Sequence, residues 1–310
     1  MTMRSATPAW LRRLDRRIRV APVAVAGLAP LLCVALPAAA QSPIAASVLP
    51  TSRSVEVNNW ATVFATMING GSSTLNGCSI APSTSVPASF VYQTTNPATN
   101  ALTGSPNTPV SIGASGSQSF VLSFKPTSAF DPTMIDLAFS CSGTSPAAST
   151  PGLNTVLLSG STTPVPDLVA LAATTGKPGI VSLSGTPDAG AFAVATINLG
   201  AGATITASIN TGSATLPIGM GICQTNTATG QCSSALASTV TVNVASNATP
   251  TFGVFATAMA AIPFDPANNR IFVQFTDSSG AIRGATSVAV EATAPSPPAP
   301  PPPPPPPYHY

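Results

Sequence analysis

Thr62-Val63-Phe64-Ala65-Thr66-Met67-Ile68-Asn69, followed by Gly70-Gly71, is the stretch that decides the fold class. It is short, rich in β-branched and apolar residues, and stopped by an Asn-Gly-Gly turn signal, so it reads as a β-strand over Thr62–Ile68. The same pattern recurs outward in both directions, with little helical periodicity. Strands are predicted at Ser54–Val57, Ser89–Gln93, Gln118–Phe124, Ile135–Ser140 and Thr155–Leu158. A second series runs Ile180–Leu183, Phe192–Ile197, Ala203–Ile209, Ser238–Val244, Thr251–Phe255, Arg270–Thr276 and Thr286–Val290. Asp277-Ser278-Ser279-Gly280 looks like a hairpin turn in which Gly supplies positive φ. Many short strands at this spacing predict an all-β protein built of antiparallel sandwiches.

The opening stretch also has an echo. Ala65-Thr66-Met67-Ile68-Asn69 returns as Ala195-Thr196-Ile197-Asn198, and Gln93-Thr94-Thr95-Asn96 as Gln224-Thr225-Asn226. Ala114-Ser115 leading to Phe120 matches Ala245-Ser246 leading to Phe252. Phe130-Asp131-Pro132 matches Phe264-Asp265-Pro266, and Gly152 matches Gly284. The offsets are 130, 131, 131, 134 and 132, in the same order along both halves. Collinear matches at a nearly constant offset predict a duplication. Two sandwiches are therefore expected, at 42–163 and 164–294, each large enough to bury its own core.

The 310 residues carry 11 Lys+Arg, 9 Asp+Glu and one His, but six of the basic residues lie within the first nineteen positions. That basic start, the apolar run Val20–Leu36 and the small residues Ala38-Ala39-Ala40 predict an export signal over 1–40, cleaved near Ala40. Beyond it remain five basic and eight acidic residues, a net charge of −3. This excludes the clustered cations of a nucleic-acid binder, and no integral membrane segment is expected after cleavage.

Cys33 belongs to the leader, which leaves Cys78, Cys141, Cys223 and Cys232, an even number in an oxidising compartment. Pairing within each half gives Cys78–Cys141 and Cys223–Cys232, stabilising by roughly 4 and somewhat under 3 kcal/mol in the chain-entropy treatment. Zinc is the competing use, but no C-x-x-C spacing and no nearby His support it. No metal or other cofactor is expected.

The first copy resembles the bacterial Ig-like domains of the ASPM/SPD-2/Hydin type. The resemblance covers residues 53–161. It rests on the strand ending in Asn69-Gly70-Gly71, on Phe120–Phe124 followed by Lys125-Pro126-Thr127, and on Val156-Leu157-Leu158-Ser159-Gly160. The second copy departs from this pattern, since Ala256-Thr257 follows Phe255. The resemblance implies an antiparallel sandwich of seven to nine strands with a scaffold or binding role, and it brings no catalytic residues.

Chemistry is constrained by scarcity. The single His309 is second from the end, so a His-based triad inside a domain is excluded. There is no G-x-S-x-G elbow, and Gly176-Lys177-Pro178 lacks the spacing of a phosphate loop. A two-carboxylate glycosidase remains formally open through Asp131, Asp136, Asp265 and Asp277. Asp131 and Asp265 precede Pro, where a carboxylate caps a turn through the backbone, with Phe130 and Phe264 expected to plug the core beside them. Asp265 with Asn268 and Asn269 is a thin donor set for calcium.

Trp60 is the only Trp after residue 40; it is expected in the core, with a surface sugar platform as the alternative. From Pro295 to Pro307, eleven of thirteen residues are proline, which predicts a polyproline II rod of about 40 Å over the tail 295–310. Thirteen charged residues among the 270 after the leader is far below the roughly one-quarter usual in globular domains. Strand edges must then be protected by loops and Pro instead of Lys. The expected function is that of an exported, non-enzymatic protein with a structural, adhesive or partner-binding role at the bacterial envelope or cell surface. The expected partners are an envelope protein, a glycan or a second copy of the chain. A carbohydrate-binding module and, less favoured, the two-carboxylate hydrolase are the alternatives.

Overall fold

The computed structural model describes residues 42–176, 179–185 and 188–293. The leader 1–40, Lys177-Pro178 and the tail 295–310 with His309 lie outside the described residues. Among those described there is no helix.

The first half supplies nine strands: β1 (Ile44–Leu49), β2 (Ser52–Glu56), β3 (Ala61–Asn69), β4 (Leu75–Pro82), β5 (Ala88–Thr95), β6 (Val110–Ile112), β7 (Ser117–Pro126), β8 (Phe130–Ser140) and β9 (Thr155–Ser161). The second supplies nine more: β10 (Leu168–Thr174), β11 (Ile180–Gly185), β12 (Asp188–Asn198), β13 (Ala203–Asn210), β14 (Ile218–Thr225), β15 (Thr239–Val244), β16 (Thr251–Ala258), β17 (Arg270–Asp277) and β18 (Ile282–Ala292). The fold is all-β.

Pairing follows one plan in both halves. In the first, β1-β3-β7-β5 form one layer and β2-β9-β8-β4-β6 the other. In the second, β12 joins β10 and β16, β16 joins β14, and β11-β18-β17-β13-β15 make the opposite layer. Here the short hairpin Ser184↔Ala189 links the two layers into one nine-stranded sheet. The sandwiches are antiparallel as expected apart from one ladder in each half, where β2 runs parallel to β9 and β11 parallel to β18. In each half the second strand crosses over to the layer opposite the first, where it meets the final strand running in its own direction.

Alternation places the core. Along β3 the burial alternates strictly at first, with Ala61, Val63, Ala65 and Met67 inward. They meet Phe120, Leu122 and Phe124 of β7 and Ile135, Leu137 and Phe139 of β8. The second core is drawn from separate residues, centred on Phe252 and Phe275, whose rings lie 5.3 Å apart, with Leu168, Val194 and Ile271 around them. Disulfides join Cys78 of β4 to Cys141, and Cys223 of β14 to Cys232.

The two halves agree in their turn chemistry as well as in their pairing. Asn69 and Asn198 are both fully buried at the end of the third strand, where each side chain bonds loop backbone. Asn69 donates to the carbonyls of Ser73, Ile112 and Gly113; Asn198 donates to those of Ala201 and Ala245. After the fifth strand, Asn96 Oδ1 accepts from Ala98 and Thr99 N–H, as Asn226 Oδ1 does from Ala228 and Thr229. Both turns close through a left-handed residue, Asn100 in one and Gly230 in the other.

The Phe-Asp-Pro match does not survive. Phe130 pairs with Gly160, and the residue that pairs at the corresponding place on β18 is Ile262, opposite Ala292. Ile262 is 1% exposed, whereas Phe264 is 61% exposed and does not plug the core. The second copy has a longer connection here, residues 263–269, folded round Asp265. Asp265 Oδ1 accepts from Ala267 and Asn268 N–H. In the first copy, Asp131 lies inside β8 instead of capping such a turn.

Candidate functional site

The meeting of the two halves is built on polar groups. Arg53 of β2 and Asp167, just before β10, are 8% and 3% exposed. Arg53 Nε lies 3.0 Å and Nη2 2.8 Å from Asp167 Oδ2, and Nη1 donates to the Thr62 carbonyl at 2.6 Å. Asp167 Oδ1 accepts from Ser54 N–H at 2.9 Å. The Asp167 N–H in turn donates to Asn198 Oδ1, and its carbonyl accepts from Leu199 N–H. Asp167 thus ties β2, through its carboxylate, to the end of β12, through its backbone. Buried charge on this scale persists only when paired and fully hydrogen-bonded.

A second seam lies further along β2. Ser52 Oγ accepts from Ala285 N–H at 2.6 Å, and Thr51 Oγ1 donates to the Ala285 carbonyl. Ser287 Oγ donates to the Gly152 carbonyl and accepts from the guanidinium of Arg270. Gly152 sits at φ +73°, and a Cβ there would come within 2.7 Å of the Phe272 ring, so this contact requires glycine. Burial lowers the Arg270 guanidinium to about 10.

Beside the Arg53–Asp167 pair opens a cleft of about 470 Å³. Its walls are Glu56, Asn59 and Trp60 from the β2–β3 turn, Pro164 and Val165 from the connection, and Leu199 to Ala201 with Ser246 from the second half. Asn58, at φ +70°, tightens the turn that projects Trp60. The expectation that Trp60 packs in the core is corrected: it is 50% exposed. It immediately precedes β3, and Lys125 Nζ of the neighbouring strand stands 5.8 Å from the ring centroid. The Arg53 and Asp167 charges at the cleft offset each other, Glu56 adds a carboxylate at its wall, and its one aromatic wall is half in solvent.

The aspartates singled out in the sequence stand on different elements. Asp136 on β8 accepts from Ser149 Oγ, and Asp131 faces a separate shallow cleft that includes Arg283. Asp265 Oδ2 accepts from Asn268 Nδ2 at 2.8 Å, while Asn269 Nδ2 donates to the Pro263 carbonyl, so these three side chains close on one another and on backbone. Asp277 accepts from Ser279, and its Oδ2 lies 2.6 Å from Arg283 Nε. Among the described residues no group of three potential metal ligands converges.

Burial pushes the Asp277 carboxyl up, but hydrogen bonds from Ser279 and Arg283 and the Arg283 charge hold it below the ordinary value of 3.8. The folded form therefore binds this proton less readily than the unfolded chain. Its contribution to stability is present above about pH 4 and is lost as pH falls through the lower folded value. Melting temperature is expected to fall on acidification below about pH 4, with a shallower fall in Asp277→Asn. An unchanged slope in that variant would remove Asp277 from the acid response.

Arg53, Asp167, Glu56, Asn59, Leu199 and Ser246 were not anticipated in the sequence. A usable signal was present for the first two. Only three arginines follow residue 40, and a chain so poor in charge places each one for a reason.

No family model matches the chain, and no curated protein matches it. Among solved structures, the major pilin subunit of Bacillus cereus is 12% identical over 81% of this chain and 69% of that one, with a TM-score of 0.24. The collagen adhesin of S. aureus is 10% identical over 81% and 94%, with a TM-score of 0.21. A family 123 glycoside hydrolase from Clostridium perfringens is 13% identical over 38% of this chain and 27% of that one, with a TM-score of 0.25. This chain thus spans about a quarter of that enzyme. At such TM-scores the likenesses carry no argument about function. Two packed layers with crossed connections make the fold Ig-like, and that rests on the strand pairing itself.

Proposed function

We propose that this is an exported, non-enzymatic Ig-like protein of the ASPM/SPD-2/Hydin type with an adhesive role at the bacterial envelope or cell surface, and that it meets its partner at the Trp60 cleft. The observation that carries this is the half-exposed Trp60 ring in a polar cleft beside the Arg53–Asp167 pair. An indole face left at the wall of a cleft offers a partner apolar area at little cost in conformational entropy.

The exposure of the ring favours a glycan over a protein surface. A pyranose stacks one apolar face on the indole, while Asn59, Glu56 and Ser246 supply donors and acceptors at its rim. The scarcity of charge suits a neutral partner. Calorimetric titration of parent and variant with neutral oligosaccharides and purified envelope glycans tests this directly, with Trp60 fluorescence as a second readout for the parent. Binding with a blue shift is expected, weakened at least tenfold in Trp60→Ala with the melting temperature unchanged. Equal binding by Trp60→Ala would move the site elsewhere. Hydrolysis of the same glycans, lost in Asp131→Asn, would overturn the non-enzymatic reading.

A further inference from the structure

Edge strands govern association in β-proteins, because each presents a row of unpaired N–H and C=O groups. Most edges of this chain are covered. Beyond β5, Thr103 N–H bonds the Thr94 carbonyl and Asn107 N–H bonds that of Tyr92. Beyond β14, the strap 231–237 is clasped by Cys223–Cys232 and bonds Ile222 and Gln224. β2 is sealed by the second half, β6 has only three residues, β10 lies beside β18, and β1 gives Val48 N–H to the Leu153 carbonyl.

β15 is different. Thr239-Val240-Thr241-Val242-Asn243-Val244 has six residues, and its backbone neighbour among the described residues is β13, on one side only. Five of the six are β-branched, none is charged, and there is no Pro or bulge to blunt the edge. Its counterpart in the first half, β6, is half as long. The second half thus keeps the pairing plan of the first but carries a longer, uncharged edge.

We propose that β15 pairs antiparallel with β15 of a second copy, extending the β11-β18-β17-β13-β15 layer across two molecules. The choice of a second copy rests on charge and geometry. A twofold contact brings each surface against itself, so it is tolerated only where like charges are absent. The outward row on β15 is Thr239, Thr241 and Asn243, and the row beside it on β13 is Thr204, Thr206 and Ser208, neutral throughout. Directly opposed residues in an antiparallel pair share a face, so outward residues must meet outward residues. A twofold axis through Thr241 satisfies this, setting Thr241 against its twin and Thr239 against Asn243. The inward Val240, Val242 and Val244 then continue the core face without a step. A contact about 20 Å long is small, so association at the weak end is expected.

Sedimentation of the oxidised full chain tests the proposal. The dimer fraction is expected to rise with concentration between about 10 µM and 1 mM, and amide exchange at 239–244 is expected to slow as it does so. Thr241→Lys and Thr241→Glu each place like charges directly opposite and are expected to weaken dimerisation at least tenfold. An equimolar mixture of the two is expected to restore it, because Lys then faces Glu. The Thr241 side chain is exposed, so unchanged melting temperatures separate this result from misfolding. A chain that stays monomeric to 1 mM, or single variants that dimerise like the parent, would overturn the proposal. So would a monomer that instead binds the peptide TVTVNV fused to an unrelated carrier, which would assign the edge to another protein's strand.

Discussion

Asp167→Ala is expected to destabilise the protein by about 3–5 kcal/mol, a loss of the size found when one member of a buried ion pair is removed. The carboxylate accepts from Arg53 Nε and Nη2 and from Ser54 N–H. Removing it strands a guanidinium that is 8% exposed, with only the Thr62 carbonyl left as a strong partner. Arg53→Met is expected to cost less, because the orphaned carboxylate keeps Ser54 N–H and the Met side chain refills the space of the Arg stem. The double change Arg53→Met/Asp167→Leu is expected to recover much of the loss, since desolvating two charges offsets most of what their attraction provides. Urea midpoints for the four proteins measure this. A single Asp167→Ala midpoint within the equivalent of ~1 kcal/mol of the parent would show that the pair is solvated and merely decorative. Separation of the melt into two transitions would show that the pair also couples the halves.

The second large effect belongs to Cys78–Cys141. The bond closes a loop with sequence separation 63 between β4 and the end of β8, and the double Cys→Ala variant is expected to lose about 4 kcal/mol. The shorter Cys223–Cys232 bond, with separation 9, is expected to contribute under 3 kcal/mol. Cys78 and Cys141 are both buried, so exclusion of water adds to the difference. Denaturant unfolding of the two double variants should therefore rank them in that order; the reverse ranking would show that residual structure in the unfolded chain, and not loop length, sets the effect.

Much of the fold was legible because strand residues and turn residues agree. Thirteen of the eighteen strands coincide with runs of β-branched and aromatic residues. The five that were missed share recognisable causes. β1 and β10 are rich in Ala and Leu, which carry no strand preference and acquire one from burial against β3 and β12. β4 contains Asn76-Gly77 and ends at Pro82, which reads as a turn. β14 holds two glycines that allow Leu236 to lie against the sheet over Gly221, and β6 is too short to show alternation.

The pairing plan shared by the two halves has a trace in the asparagines, since Asn69/Asn198 and Asn96/Asn226 bond loop backbone at matching places. Phe-Asp-Pro misled, since a turn signal can recur in a loop of different length without being its copy. The candidate site was far less legible. A lone Trp carries no periodicity, and what exposes Trp60 is a turn at Asn58 together with a junction made by residues more than a hundred positions apart.

The parallel ladders have a mechanical side. β18 is the last described strand: β17 holds Ile282 to Ala289 antiparallel, and β11 holds Ala289 to Ala292 in the same direction. Tension entering beyond Thr293 runs along the strand axis, so it loads the β11 rungs in shear first and the β17 rungs behind them, instead of peeling them open singly. A tether joined at that end would stretch taut well before it unravelled the domain it holds.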